Sequence, residues 1–523
     1  MSTPIYNEKI VLTKESIGKY FKTRWSTLFD IPLKHSDKTA WEILNPIPGL
    51  RQMTSTDWNF YLLGFFGWTV DALDFFCVSV SAPEIAKSLG VSITDITWGV
   101  TLVLMLRSVG ALIFGLSADY FGRKWCFILI CFLFVVVELG TGFVQTYQQF
   151  LGVRALFGVL MGAFYPIASV TALEDQPMKA RSILSGFFLP GYNLGYLLAT
   201  VFYRGFQFTY KEGEGWRSLF WFSAGLPVIL IAWRMCFPES PSFQKLKARR
   251  AKLRDERMAK HTESTGSKPS LWTRIKSNDL LETIRTDWLL LIFLVLLMSG
   301  FNFMSHGSQD LYPTLLVKQH NASPNQKTII MVVVNIGAIC GGIFFGNLTE
   351  LLGRRLTIMI CCLFSSAFLY PSFFSNTLSG IIGGYFFLNF GVMGAWGVAP
   401  LHLMELVNTA HRAFLSGIVY QLGNLASSAS ITIEARIAER FPLKNKPAGT
   451  YDYGKVMCIF CAAVFAYMLV AVFLGPEKFH KELSLKHDYT DDEDMDGQAY
   501  IEASKSFDDE KKLDVSYIEN PAR

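Results

Sequence analysis

Six polar side chains crowd one short segment of an otherwise apolar stretch: in FNFMSHGSQDLYPT (301–314), Asn302, Ser305, His306, Ser308, Gln309 and Asp310 fall within nine residues. A polar or ionisable group at bilayer depth costs about 2.5–3.5 kcal/mol on insertion scales, so it persists there by pairing or by having a task. Asn302, His306 and Asp310 recur every fourth position, and Thr314 approximately continues the row, so on a helix they climb one stripe. Facing a hydrated cavity, a row of amide, imidazole and carboxyl groups binds a polar solute or moves protons; facing protein, it cross-links helices.

Other residues invite the same question. Arg107 follows the run LVLML and precedes Asp119 by twelve residues, or about 18 Å of helix, which puts it near mid-membrane. A guanidinium there either offers two parallel donors to a carboxylate or snorkels to an interface. GWTVDALDFF (67–76) adds Asp71 and Asp74, and Glu138 stands near the end of the third apolar stretch, in the cavity or at the interface. Burial disfavours a charged carboxyl, so such a group takes up a proton at moderate pH. Asp74, Asp310, Glu138 and His306 are the groups available for that.

The surrounding composition is that of a polytopic membrane protein: 523 residues, 51% hydrophobic and 17% charged, with a mean hydropathy of +0.30. Twelve apolar stretches lie near 58–82, 95–118, 125–144, 148–173, 182–205, 216–237, 287–311, 327–350, 354–375, 379–404, 413–435 and 452–475. Each is long enough to cross a hydrocarbon core of about 30 Å. Residues 1–57 are polar and basic, with no cleavable signal peptide, and 238–286 carries twelve Lys and Arg between Lys245 and Arg285. Arg123–Lys124 and Arg354–Arg355 fall on that same side, so both termini are expected in the cytosol. The loop between the last two stretches (Arg436, Arg440, Lys444, Lys446) is the exception. The net charge of +5 thus reads as topology and not as a nucleic-acid face. The nine cysteines lie almost wholly in apolar spans without metal-ligand spacing, which reads as buried thiols, and no metal or cofactor is expected.

An internal repeat organises the chain. GLSADYFGRK (115–124) aligns with GNLTELLGRR (346–355), and EDQPMKARSILSG (174–186) with ELVNTAHRAFLSG (405–417), both at an offset of 231, the distance from 115 to 346. Two matches at one offset imply two six-helix halves, 58–237 and 287–475, joined by the basic linker 238–286 and flanked by an arm (1–57) and an acidic tail (476–523). The expected fold is an all-α membrane protein of twelve transmembrane helices, the architecture of a secondary transporter. Asp119, Arg123, Glu350 and Arg354 in the repeated loops either lock a gate or anchor the chain. Applied to the polar stripe, the offset sets Asp71 against Asn302 and Asp74 against Ser305, so the first and seventh helices are polar at equivalent depths.

Gly115, Leu116, Asp119, Gly122, Arg123 and Lys124 resemble the loop signature of the major facilitator superfamily, as PESP (238–241) resembles the close of its sixth helix. Arg154, Gly158 and Gly162 resemble its fourth-helix pattern, where small residues let helices pack closely. Asn302, Ser305, His306, Ser308, Gln309, Asp310 and Thr314 resemble, position by position, the seventh-helix signature of the fungal lactate/pyruvate:proton symporter family, which includes dicarboxylate transporters and sits in a sialate:proton symporter branch. WNFYLLGFFGW, DITWG, LRSVGALIFGL, VVVNIGAICGG and YQLGNLASS extend the similarity over the membrane core. The resemblance implies that Arg107 binds the substrate carboxylate and that Gln421 and Asn424 belong to the polar eleventh helix, to bond a hydroxyl or keto oxygen or to cross-link helices. Leu189, beside Pro190, is where a size filter is expected.

The expected function is plasma-membrane symport of short-chain carboxylates (lactate and pyruvate, or succinate and malate) with protons, driven by the proton gradient. Substrate is expected on Arg107, Asn302, His306, Gln421 and Asn424, and proton coupling on Asp310, Asp74 and His306. No Walker-type G-x-x-x-x-G-K-[ST] loop is present. A sugar-acid transporter, a proton-independent facilitator and a non-transporting nutrient receptor are the alternatives. The tail (DYTDDEDMDGQ, SFDDEKKLD) has a disordered composition; exposed lysines there and in the arm are candidate acceptors for the ubiquitin machinery, and NAS (321–323) is a glycosylation sequon.

Overall fold

The computed structural model describes residues 14–478 apart from 36–38, 92, 207, 212, 249–250, 252–278, 376, 409–410 and 444–450. Most of the basic linker, the acidic tail, and Lys444 and Lys446 lie outside the described residues. Twelve helical passes run α1 (Ser55–Leu89), α2 (Ile93–Phe121), α3 (Arg123–Gly142), α4 (Tyr147–Leu173), α5 (Met178–Phe188 and Gly191–Phe206), α6 (Gly215–Ser223 and Gly225–Met235), α7 (Asp279–Gln309), α8 (Pro324–Leu352), α9 (Arg354–Ala367 and Leu369–Phe374), α10 (Leu378–Leu406), α11 (Arg412–Ser427 and Ser430–Ala438) and α12 (Tyr453–Leu474). This is the major facilitator fold, two bundles of six helices. Each expected span falls on one pass.

Local chemistry sets the helix ends. Capping boxes start α1 (Thr54 with Asp57), α4 (Thr146 with Gln149) and α8 (Ser323 with Gln326), each satisfying orphan backbone donors. The repeated loops turn on Gly122 (φ 108°) and Gly353 (φ 83°), a backbone region where a side chain is strained. Ten passes are long and apolar enough to cross a membrane unaided. The other two are α5, broken at Leu189–Pro190, and α11, broken at Ser428–Ala429. The two helices are equivalent under the 231-residue offset, although their breaks are not, since 189 maps to 420; interrupted helices in corresponding places of two repeats commonly border a transporter's site.

The offset also governs packing. α2 lies on α4 as α8 lies on α10, and the halves join through α2 with α11 and α8 with α5. Gly110 meets the Val159 carbonyl, and 231 residues on, Gly341 meets the Phe390 carbonyl. Backbone contact this close leaves no room for a methyl group, and a carbonyl cannot swing aside as a side chain does. Gly110→Val or Gly341→Val is therefore expected to destabilise the bundle by at least about 2 kcal/mol, read as a lower unfolding midpoint of the detergent-purified chain. Of the cysteines, Cys77, Cys126, Cys131, Cys361, Cys362 and Cys461 are buried as expected, whereas Cys236 and Cys340 are exposed on the bundle's outside.

Both described ends of the chain and the two repeated loops share one face, here the terminal face. The arm is laid along the second half before the chain enters α1. Tyr20 donates to the Leu474 carbonyl (2.8 Å), Arg24 to Gly475 (3.0 Å), and Asn347 of α8 to Leu44 (2.7 Å).

Candidate functional site

In the first half, α1 turns Asp71 and Asp74 inward, α2 supplies Arg107, α3 Glu138 and α4 Arg154, all buried. Gly158 and Gly162 let α4 approach the α2 backbone at Val103 and at Arg107 itself, which holds the guanidinium at the tightest part of the bundle. Glu138 is not interfacial: it is fully enclosed and paired with Arg154 at 3.1 Å, with Thr141 bonded to the same guanidinium at 2.6 Å. The cover of α4 and α6 over the end of α3 explains that burial.

Among the described residues Asp71 makes no hydrogen bond, nor do Nε and Nη2 of Arg107, while Asp74 has the Ser223 hydroxyl as its polar neighbour. Asp71 feels the charge of Arg107, whereas Asp74 lies among Glu138, Asp71, Arg154 and Ser223. The cluster therefore holds three carboxyls against two guanidiniums. Buried charge is tolerated when it is paired, so one carboxyl proton, or one fewer charge, is needed for neutrality.

In the second half, His306 Nδ1 lies 3.0 Å from Asp310 Oδ2 and its Nε2 3.3 Å from Asn424 Oδ1. Asn424 in turn donates to Gln421 at 3.3 Å. Both ring nitrogens thus face acceptor oxygens, which a doubly protonated imidazole satisfies. The stripe seen in the sequence is consequently connected to the eleventh helix, except that Asn302 turns its amide to the Met298 carbonyl of its own helix (2.8 Å). Exposure rises along the stripe away from the terminal face: Asn302 is buried, while the side chains of His306 and of Asp310, just past the end of α7, are 15% and 31% exposed. Leu189 is buried at the break in α5, where its carbonyl accepts from Trp68 Nε1 at 3.4 Å.

The two clusters face each other across the join. Arg107 is within electrostatic reach of His306, Tyr192 and Tyr420. Below them Tyr165 of α4 stacks on Tyr420 of α11 with centroids 4.1 Å apart, flanked by Trp68 and Trp396. Asn193 and Asn335 bridge α5 and α8 at 2.7 Å.

Towards the terminal face the halves are bolted together. Asp119 accepts from the Phe414 backbone at 2.8 Å and lies 3.7 Å from Arg123. Glu174 joins Arg123 (3.4 Å) to Arg412 (3.2 Å), and Arg354 joins Glu405 (2.9 Å) and Glu350 (3.4 Å) to Ser182 (2.9 Å). The four loop residues singled out in the sequence all take part in these bonds, with Glu174, Glu405, Arg412 and Ser182 as their partners. Glu174, Glu405 and Arg412 stood in the second repeated motif, so the repeat carried their signal. This face is thus closed, and Asp310, the most exposed ionisable group of the two clusters, lies away from it.

Glu174→Gln removes the charge between two buried guanidiniums, each a bond worth about 1.5–3 kcal/mol. The expected result is a bias toward opening the terminal face. Ser185 is buried beneath the bolts. A Ser185→Cys reporter should then react with an impermeant thiol reagent from that face at least about tenfold faster in the Glu174→Gln background.

A model of the sugar (and other) transporter family matches residues 50–473. Over 483 residues the chain is 45% identical to a Saccharomyces cerevisiae carboxylic acid transporter protein homolog, covering 91% of this chain and 76% of that one. It is 27% identical to the Escherichia coli sialic acid transporter NanX over 80% of this chain and 94% of the relative. Among solved structures, the proton:xylose symporter XylE superposes with a TM-score of 0.65 at 15% identity, covering 82% of this chain and 98% of that chain.

Proposed function

The chain belongs to the sugar (and other) transporter family of the major facilitator superfamily, a carrier and not an enzyme, and from that premise we propose that it is a proton-coupled symporter of short-chain carboxylates of the lactate/pyruvate:proton symporter type. The observation that carries the reading is the surplus of buried carboxyls over guanidiniums around a partly unbonded Arg107. The kinship with a protein named as a carboxylic acid transporter homolog supports the substrate class.

The mechanism follows from charge balance. In the empty carrier Arg107 balances Asp71. A substrate carboxylate that takes the guanidinium in a two-donor embrace leaves Asp71 without its cation, and the neutral acid is then the form the cavity tolerates. Substrate and proton therefore enter together. His306, held by Asp310, and the Gln421–Asn424 amides line the other wall, where they receive the substrate's far end: a hydroxyl, a keto oxygen or a second carboxylate. Rocking of the halves, with the bolts released, delivers both to the terminal face.

The proton has an energetic purpose. An interior-negative potential opposes an anion by about 2.3 kcal/mol per charge per 100 mV, and each accompanying proton cancels one charge. That argument requires the terminal face to be cytosolic and the open face external, in a plasma membrane, as the basic arm and linker suggest.

The test is initial uptake of labelled lactate and labelled succinate at acidic and neutral pH, with and without a protonophore, in cells lacking their own carriers. Uptake that collapses with the protonophore supports symport, and the preferred label identifies a mono- or dicarboxylate carrier. Uptake indifferent to the protonophore makes it a facilitator, and uptake of neither label overturns the reading. The similarity to NanX favours a sugar acid as the second substrate class, so labelled sialic acid belongs in the same assay.

A further inference from the structure

Glu434 lies on the second segment of α11, in ITIEARIAER, and is fully enclosed. Among the described residues neither of its carboxylate oxygens has a hydrogen-bond partner. It occupies a slot created by Gly307, the residue after His306: a Cβ there would stand 3.3 Å from Glu434 Oε1, with the Phe460 ring of α12 closing on the same glycine. The titratable groups that face it are Asp310 of α7 and Cys461 of α12. No cation meets it from its own segment, because Arg436 points outward, 76% exposed, and pairs with Glu439 at 3.3 Å.

A carboxylate without donor or cation, walled by a ring and a thiol, carries an uncompensated buried charge; the neutral acid fits the slot. Its neighbour Asp310 is the wet end of the His306 pair, open to the face from which a proton arrives. We propose that Glu434 is a proton-binding residue of the second half, filled from the open face by way of Asp310 and emptied when α7 and α11 shift against each other. A hydronium ion of the open side gives its proton to the Glu434 carboxylate, leaving water; on the other side the acid returns it to water. The inference rests on the symport reading and assigns it a second carboxyl beyond the Arg107 cluster.

The experiment uses the purified full chain in proteoliposomes, with labelled lactate and succinate as probes. Glu434→Gln mimics the permanently protonated acid, so a carrier that never has to discharge should still exchange internal for external substrate. Exchange is expected within about threefold of the parent, and accumulation driven by an imposed pH gradient at least about tenfold lower. Glu434→Asp, which keeps an ionisable group, should restore part of the accumulation. An infrared difference between parent and Glu434→Gln should contain the C=O stretch of a protonated carboxyl, a readout independent of transport. Parent-like accumulation by Glu434→Gln, or absence of that band, overturns the assignment. Loss of exchange and accumulation together, unrepaired by Glu434→Asp, makes Glu434 a packing residue and overturns it as well. A parent protein that carries substrate without response to the pH gradient instead fails the symport reading, a result visible before any variant is made.

Discussion

Arg107→Ala is expected to lower carboxylate uptake by about two orders of magnitude or more, since a hydrogen-bonded charge pair truncated on one side typically costs 2–5 kcal/mol. Two separate losses are involved. The substrate loses a two-donor anchor, and Asp71 loses the cation that makes its burial tolerable. The second loss alone would reduce the amount of folded protein, because an orphaned buried charge costs about 3–5 kcal/mol. The double variant Arg107→Ala/Asp71→Asn separates them: it should recover surface abundance without recovering uptake. Arg107→Lys keeps the charge but not the planar fork, so it should preserve abundance and raise the half-saturating substrate concentration. Substantial uptake by Arg107→Ala at normal abundance would place the substrate carboxylate elsewhere.

Asp71→Asn is expected to cut the link between substrate and proton. With an uncharged amide at 71, Arg107 is a standing cation that accepts a substrate carboxylate with no proton required. On the symport reading, uptake by the parent should rise as external pH falls, and the rise should be shallower in Asp71→Asn, where Glu434 is the carboxyl left to respond. Accumulation against a gradient should fall at least about tenfold, since the proton that Asp71 takes up no longer accompanies each anion. Asp74 has Arg154 as its cationic neighbour, together with Glu138 and Ser223. Asp74→Asn is therefore expected to keep more of the pH response. The reverse order of effects would move the coupling role to Asp74.

Much of this geometry was legible in the residues. The offset of 231 anticipated the paired loops of the terminal face, and it extends to Gly110 with Gly341, a relation of backbone packing that no charged motif advertises. The Asn302–His306–Asp310 row was readable because helical periodicity puts fourth neighbours on one face. What Asn302 does there was not readable, since an amide can satisfy itself on its own helix. Whether Glu138 stood in the cavity or at the interface was not readable, because one turn separates it from the end of α3 and its burial depends on α4 and α6, which sequence distance does not report. Glu434 was hidden by its company: Arg436, Glu439 and Arg440 make the segment read as a loop margin, and the slot that encloses it is the absence of a side chain at Gly307 on another helix. Which of Asp71 and Asp74 feels the charge of Arg107 has a similar origin, because it depends on how α1 is turned against α2.

The stacked Tyr165 and Tyr420 rings bear on electrical leakage. They form a floor between the ionisable groups and the bolted face, and aromatic faces carry negative quadrupole charge that repels anions and attracts cations. A bare carboxylate slipping past them would meet hydrocarbon and electron density with no donor to replace its water. The same anion travelling with its proton has no such handicap. On the symport reading, a cell that keeps a steep voltage across this membrane would then lose little standing current through idle copies of the carrier.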